Sequence, residues 1–331
     1  MVLDPNATEV GSNGSDTLLD PSFLAEDDGN LKLWVSRFWP KWHIEKYLGR
    51  GSFGQVYEIS KQEMGYVTRS AAKVLRITEE DTNAGGLSGS QPSLQASVKA
   101  AYGEIESMKE LSGEPNIVII NESRCEPYAD GRAYVIGIRM ELLQGLDQRW
   151  QQFGSRFSDE EAMRVARDIC RALIACHKHN IWHRDVKPKN VFWCERTGAY
   201  KLGDLGAAKQ MGLRTQSATF IGTLDYMAPE VMAYKPYSHT ADIYSLGIML
   251  FYLLNYGVKP FLPLGKEFDA KLDESATQKR LAGEAFPNPV CGDDYIGDLI
   301  RSATAGNPKH RFKSAQAFYN AICAWPGWDR V

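Results

Sequence analysis

The chain has 331 residues, 44% hydrophobic and 24% charged, an ordinary globular composition with room for one large core or two modest ones. A formal net charge of -3 argues against nucleic acid as the main partner. The six cysteines contain no CxxC pair and read as reduced, partly buried thiols in a cytoplasmic compartment, and no secretory signal is legible at the N-terminus.

Residues 1–30 carry seven acidic side chains and no Lys or Arg, among many Asn, Gly and Ser. Such a segment buries too little apolar surface to order itself, so it reads as a flexible acidic tail. Order is expected from Leu31 to Trp42, where aromatic residues appear. Gly49, Gly51 and Gly54 then follow with GxGxxG spacing and Val56 two further on. Alone that spacing fits a dinucleotide turn, a phosphate-covering hairpin or a mobile loop. Val56-Tyr57-Glu58-Ile59 alternates like a strand, which favours the hairpin. Lys73 stands among small and apolar residues in the next strand pattern, Ser70 to Leu75. Residues 79–97 are rich in Gly, Ser, Thr, Asn and Gln and read as a flexible insertion. A helix is expected from about Ser97 to Leu111. Its stripe is Val98, Ala101, Ile105, Met108 and Leu111. Glu104 falls inside that stripe, so it needs a partner, and Lys73 is the natural one; a frayed or exposed Glu is the alternative, which fits the periodicity worse. Strands are expected at Ile117–Ile120 and Ala133–Leu143, with a turn at Pro127–Gly131. Gln144-Gly145 breaks the pattern, and the character changes from strand to helix.

Ser158 and Glu161 form a capping box that opens a long helix with Ala162, Val165, Ile169, Leu173 and Cys176 on its buried face. His177 and His179, in its last turn, read as capping or surface residues. The octapeptide His183-Arg184-Asp185-Val186-Lys187-Pro188-Lys189-Asn190 lies between this helix and the apolar Val191-Phe192-Trp193, so it reads as a displayed loop. An Asp beside a Lys and an Asn suits phosphoryl transfer: the carboxylate accepts a hydroxyl proton, the ammonium offsets phosphoryl charge and the amide oxygen ligates a metal. A polar surface loop is the plain alternative. Asp204 follows a short strand and precedes another Gly after one residue; alone it could be a turn residue. Residues 207–222 are polar and include Thr215, Ser217 and Thr219. Ile243 to Tyr256 is apolar almost all round and reads as a buried helix, too short to span a bilayer. Residues 262–290 read as loop-rich, and helices at Tyr295–Ala303 and Ser314–Ala324 finish the domain.

Taken in order, these motifs resemble the eukaryotic-type (Hanks-type) Ser/Thr protein kinases from about Trp42 to Ala324. Trp39-Pro40-Lys41-Trp42 and Arg139-Met140-Glu141-Leu142-Leu143 resemble bacterial members. The resemblance implies an α+β, two-lobed fold: a small antiparallel β N-lobe with one main helix at 31–143, and a larger helical C-lobe at 144–331. It implies ATP and magnesium, with manganese as an alternative metal, and protein substrates. Gly49, Gly51 and Gly54 would lie over the ATP phosphates. Val56, Ala71 and Phe192 join the ATP-binding set, with Met140 behind the hinge Glu141-Leu142-Leu143. Lys73 would bind phosphate and pair with Glu104, Asp185 would be the catalytic base, and Lys187 would contact the γ-phosphate. Asn190 and Asp204 would hold the metal. Lys187 and Thr223 match the Ser/Thr-specific pattern. Glu230 would pair with Arg311, and Asp242 would hold the catalytic-loop backbone. Apart from the resemblance, the uncompensated Arg184 charge beside Asp185 makes 207–222 a candidate phosphorylation switch, with Thr219 the first candidate and Thr215 and Ser217 the alternatives; an unmodified loop with Arg184 paired to a carboxylate is the other reading. Two departures stand out: Leu205 in place of Phe, and the long insertion before the Glu104 helix. A pseudokinase scaffold is the rival reading, but the Lys and both Asp residues that such proteins lose are present. A small-molecule kinase is the other rival, opposed by Gly222-Thr223 and Ala228-Pro229-Glu230, which in the family shape a peptide-binding ledge.

Overall fold

A computed structural model describes residues 31–51, 54–79, 93–128, 131–203, 224–265, 267 and 269–330. The first element is α1, Leu31–Phe38. Five antiparallel strands follow: β1 His43–Gly51, β2 Gly54–Glu63, β3 Tyr66–Thr78, β4 Ile120–Tyr128 and β5 Ala133–Met140. They form one sheet in the order β1-β2-β3-β5-β4. Helix α2, Leu94–Glu110, enters between β3 and β4.

Both faces of this sheet are covered, which explains why Ser70 to Leu75 are buried without alternation. One face of the pleat presents Leu75, Ile77, Ile136 and Ile138 to Leu94, Val98, Ala101 and Ile105 of α2. The other presents Tyr57, Ile59, Ala72, Val74 and Val135 to Trp34, Val35, Phe38 and Trp39. Gly137 makes room for that aromatic group, since a Cβ there would stand 2.4 Å from the Phe38 ring. The segments Trp39–Trp42 and Arg139–Leu143 also meet, with the Arg139 guanidinium 4.7 Å over the Trp42 ring.

After β5 come β6 Gln144–Gly145, α3 Leu146–Gln152, α4 Asp159–Lys178, β7 Val191–Cys194 and β8 Ala199–Leu202. The chain then builds α5 Pro229–Met232, α6 Thr240–Leu254, α7 Ala270–Ala282, α8 Asp294–Ala303 and α9 Ala315–Cys323. Helix α6 is buried at every residue but Tyr252 and is the centre of this half, packed on α4, α8 and α9. No described helix is long and apolar enough to cross a membrane. All six cysteines are unpaired.

Several expectations shift. Helix α2 begins at Leu94, because the Ser93 hydroxyl caps it by accepting the Ala96 N–H at 3.2 Å; the end of the 79–97 stretch is therefore helical. The strand expected at Ile117–Ile120 begins only at Ile120 and runs through Pro127. A proline is tolerated there because β4 is a sheet edge. Ser158 caps α4 as expected, but the Glu161 carboxylate turns away to the Tyr200 hydroxyl and to Arg149 at 3.3 Å, so the reciprocal half of the capping box is not made. The stretch taken as loop at 262–290 contains a full helix, α7, capped by Asp269 and ended by Gly283 at φ +78°.

Candidate active site

The sheet register brings the candidates from β2, β3 and β5 together. Val56 pairs with Lys73, and Lys73 with Ile138; Ala71 pairs with Met140. Since residues two apart share a face, Val56, Ala71, Lys73 and Met140 lie on the α2 side. Lys73 is buried there. Glu104 lies on α2, but its pairing with Lys73 falls outside what the structure describes. Gly51 and Gly54 close the β1–β2 hairpin. Gly54 cannot be anything larger, because a Cβ would meet the Val74 carbonyl oxygen at 2.1 Å. Gly49, at φ +149°, has a backbone that L side chains rarely adopt.

Glu141 follows β5 and turns its side chain inward. Its Oε1 accepts the Ile119 N–H at 2.8 Å and the Lys201 ammonium at 2.5 Å, while its own N–H donates to Ile119 O at 3.0 Å. The Glu141 N–H and carboxylate are therefore already engaged within the chain. Leu142 and Leu143 are half-buried and lead into β6, where Gly145 pairs with Phe192. That pairing sets Phe192 opposite Gly145, and Trp193 opposite Gln144, just after the segment Glu141–Leu143. Phe192 also closes over Gly203, whose Cβ position lies 3.1 Å from the Phe192 ring.

The octapeptide loop is fixed from below. Asp242, at the start of α6, accepts the backbone N–H groups of His183 at 3.0 Å and Arg184 at 2.7 Å. Those bonds hold Arg184 at φ +63°, a conformation that costs a non-glycine residue about 1–3 kcal/mol. Asp242 also bonds His177 Nε2 at 2.8 Å. Burial pushes the Asp242 carboxyl up, but the His177 hydrogen bond and charge, with the Arg184 N–H, outweigh it and hold the group below the ordinary carboxylate range. So His177 is no surface cap. His179 is the exposed one.

Within the loop, Asn190 Nδ2 donates to Asp185 O at 2.7 Å and to Asp185 Oδ2 at 3.0 Å, and Lys187 Nζ lies 2.9 Å from the same Oδ2. His183 Nε2 donates to Gly203 O at 3.1 Å, which leaves Nδ1 to accept the Asp185 N–H at 3.4 Å. The Gly203 N–H donates to Asn190 O at 2.9 Å. Gly203 is thereby stitched to the loop from both its polar groups. Asp204, Leu205, Thr215, Ser217, Thr219 and Thr223 lie outside the described residues. The Asn190 Nδ2 turns to Asp185, and its Oδ1 is a hard oxygen of the kind that ligates magnesium. The described residues hold no cluster of three His, Cys, Asp or Glu for a metal. A single amide oxygen fits magnesium, which takes few protein ligands and completes its shell with water and phosphate.

The Arg184 guanidinium stands 5.5 Å over Trp182 and 5.8 Å over Tyr237, and its Nε has no hydrogen-bond partner among the described residues. Glu230 and Arg311 form a two-pronged ion pair, both bonds 2.7 Å, with Arg311 wholly buried. Asp147, at the start of α3, was not singled out by its sequence. Burial pushes its carboxyl up against the pull of Lys189 in the octapeptide.

The chain matches the family model described as protein kinase domain over residues 42–321. It is similar to serine/threonine-protein kinase Nek3 of Mus musculus, 30% identical over 81% of this chain and 47% of that protein. It is 29% identical to calcium-dependent protein kinase 29 of Arabidopsis thaliana, over 83% of this chain and 47% of that protein. It is 28% identical to calcium-dependent protein kinase 10 of Oryza sativa subsp. japonica, over 93% and 46%. The chain thus spans about half the length of these curated relatives. They come from a mammal and two plants, and lend no support to a bacterial subfamily.

Proposed function

This chain belongs to the protein kinase family, and from that premise we propose that it is an ATP- and magnesium-dependent serine/threonine kinase acting on protein substrates and on itself. One observation carries the reading: Lys187 Nζ and Asn190 Nδ2 both lie within 3.0 Å of Asp185 Oδ2. A carboxylate held in that way is aimed to orient and accept the proton of an incoming hydroxyl. Lys187 adds a positive charge beside the path of the transferring phosphoryl group, and Lys73 adds another from the sheet face. Magnesium, when bound, offsets phosphate charge, and Asn190 with Asp204 would hold it; manganese is the alternative metal. Gly49, Gly51 and Gly54 would cover the phosphates. Val56, Ala71, Met140, Leu142, Leu143 and Phe192 would enclose the base, with Glu141 holding that segment to the rest of the chain. Glu104 would pair with Lys73. Residues 31–143 would form the N-lobe, 144–331 the C-lobe and 1–30 an acidic tail. Free cysteines suit a reducing, cytoplasmic setting.

The test is transfer from radiolabelled ATP to casein and histone, in wild type, Asp185→Asn and Lys73→Met. Wild type should label acceptor and itself, and both variants should fall by about 10³-fold or more, as losses of concerted transition-state groups do. Asp185→Asn should still bind nucleotide, because the side chain acts on the hydroxyl. Nucleotide binding by wild type without any transfer would leave a pseudokinase scaffold instead. Mapping the labelled sites addresses Thr215, Ser217 and Thr219. A phosphate near Arg184 would take charge-assisted hydrogen bonds that two aromatic faces do not supply. Full activity in a triple Ala variant, with no lag, would remove that switch.

A further inference from the structure

Helix α7 buries only two residues, Ala276 and Arg280. A buried arginine is costly unless its donors are used. Among the described residues Arg280 meets no carboxylate. Instead its Nη1 donates to Met227 O at 2.7 Å and its Nη2 to Leu224 O at 2.8 Å, with Met232 Sδ 3.3 Å from Nη2. The planar fork of a guanidinium spans two carbonyls three residues apart, which a point-charge ammonium or an apolar side chain does not. The residues between are tied as well. Asp225 meets Lys259 Nζ at 2.9 Å, and the same ammonium meets Asp273 of α7 at 2.8 Å. Tyr226 O accepts the Ser245 hydroxyl at 2.7 Å. So Leu224, Asp225, Tyr226 and Met227 are each held by a side chain, three of them from α7 or through it. On the far side, Arg311 pins Glu230. A leucine at 280 would fill less of this space and would leave both carbonyls without a donor, so the arginine is placed for what it bonds.

We propose that Arg280, with the Lys259–Asp273 bridge, is a positioning residue for protein substrate: α7 sets the segment 224–227 on which the acceptor peptide lies. This rests on the kinase reading above, and deepens it by dividing the acceptor side of the site from the nucleotide side. Leu224 to Met227 lie between Thr223 and Ala228-Pro229-Glu230, the stretch whose family likeness is to a peptide ledge. Among the described residues, these tethers run to Arg280, Lys259, Asp273 and Ser245, none of them a nucleotide candidate of the sheet.

The experiment uses the full chain as Arg280→Met, Arg280→Lys and Lys259→Met beside wild type. Hydrogen–deuterium exchange is read over 224–233, and steady-state kinetics with ATP and whichever of casein and histone the wild type labels. In Arg280→Met, exchange over 224–233 should rise while β2, β3 and β5 stay protected. The KM for acceptor should rise about tenfold or more, since both hydrogen bonds from the charged guanidinium to the segment are lost, with the KM for ATP unchanged. Arg280→Lys should recover part of the loss, because its single nitrogen can keep one of the two carbonyl bonds. Lys259→Met keeps Arg280 and should move both readouts the same way if Arg280→Met fails to fold. Unchanged exchange over 224–233 overturns the tether, and raised exchange with an unchanged acceptor KM overturns the substrate role. A rise in both KM values together would mark a merely structural residue and overturn it too. A wild type that transfers nothing would sink the kinase reading and the substrate role, while the exchange data would still decide the tether.

Discussion

Arg311 and Asp242 are buried ions, and each is tolerable only because every charged atom finds a partner. Arg311 spends its donors on both Glu230 oxygens and on the carbonyls of Ala305, Thr240 and Gly306, under the Tyr244 ring at 4.7 Å. Arg311→Ala should therefore cost about 3–5 kcal/mol by leaving Glu230 charged and alone, measured by denaturant unfolding. An unchanged midpoint would deny the pair its structural role. For Asp242 the sign follows from a folded-state value held below the ordinary 3.8. A depressed carboxyl stabilises the fold above its unfolded value, and that stability is lost as pH falls through the folded value, below about 3.8. His177→Phe removes a bond that lowers it, so acid unfolding should begin at a higher pH than in wild type. An identical acid limb in both proteins would show that His177 does not support the carboxylate. The two partners are 65 positions apart, so no local pattern carries their bond. By contrast Asp185, Lys187 and Asn190 lie within one loop of six residues, and their grouping was legible because adjacency in sequence forces adjacency in space.

Elements were legible where one face is apolar and hidden where packing uses something else. Helix α4 has a clear stripe and a Ser158 cap, and it falls where its sequence places it. Helix α7 has a good Asp269 cap and a Gly283 stop, but its buried face is one alanine and one arginine, so periodicity could not reveal it. Strand β4 is polar because it is an edge. Helix α1 was legible only as an aromatic stretch, since the sheet face it covers is supplied by residues from β2, β3 and β5. Its fit depends on the missing side chain at Gly137. Gly137→Val would place a Cβ 2.4 Å from Phe38 and 3.0 Å from Trp39, where a ring cannot yield without leaving the sheet. Overpacking of this kind costs about 1–3 kcal/mol, and it should raise tryptophan exposure to a soluble quencher. Unchanged quenching and melting would mean that α1 docks without that contact.

At the scale of the whole molecule, two bodies of apolar packing exist. The sheet has its own clusters on both faces, and the helices share one large core. Ile120 packs against both. Met108 of α2, Leu111 and Ile117 belong to the large helical core, so apolar packing joins the bodies there as well. Polar joints pass through two short segments, 116–118 and 141–145. Asn116 donates to Tyr200 O at 2.7 Å, Leu202 N–H to Asn116 O at 2.8 Å and Val118 N–H to Leu202 O at 2.9 Å. Lys201 adds the only side-chain ion pair found among the described residues between Glu141 and the helical part. That Glu141 follows β5 was legible; that it reaches Lys201, 60 positions on, was not. The Lys201 side chain is 9% exposed and Glu141 is 16%, so the pair is largely shielded from water. Lys201→Met removes the cation and leaves the carboxylate with the Ile119 N–H alone, an imbalance at the lower end of roughly 3–5 kcal/mol. Because the pair straddles the two bodies, the loss should fall on their coupling more than on either core. Calorimetry should show one cooperative melt in wild type and an earlier, broader or divided melt in Lys201→Met. A single sharp transition at the wild-type temperature would show that the backbone joints at 116–118 and the apolar packing of Met108, Leu111, Ile117 and Ile120 hold the bodies together without it.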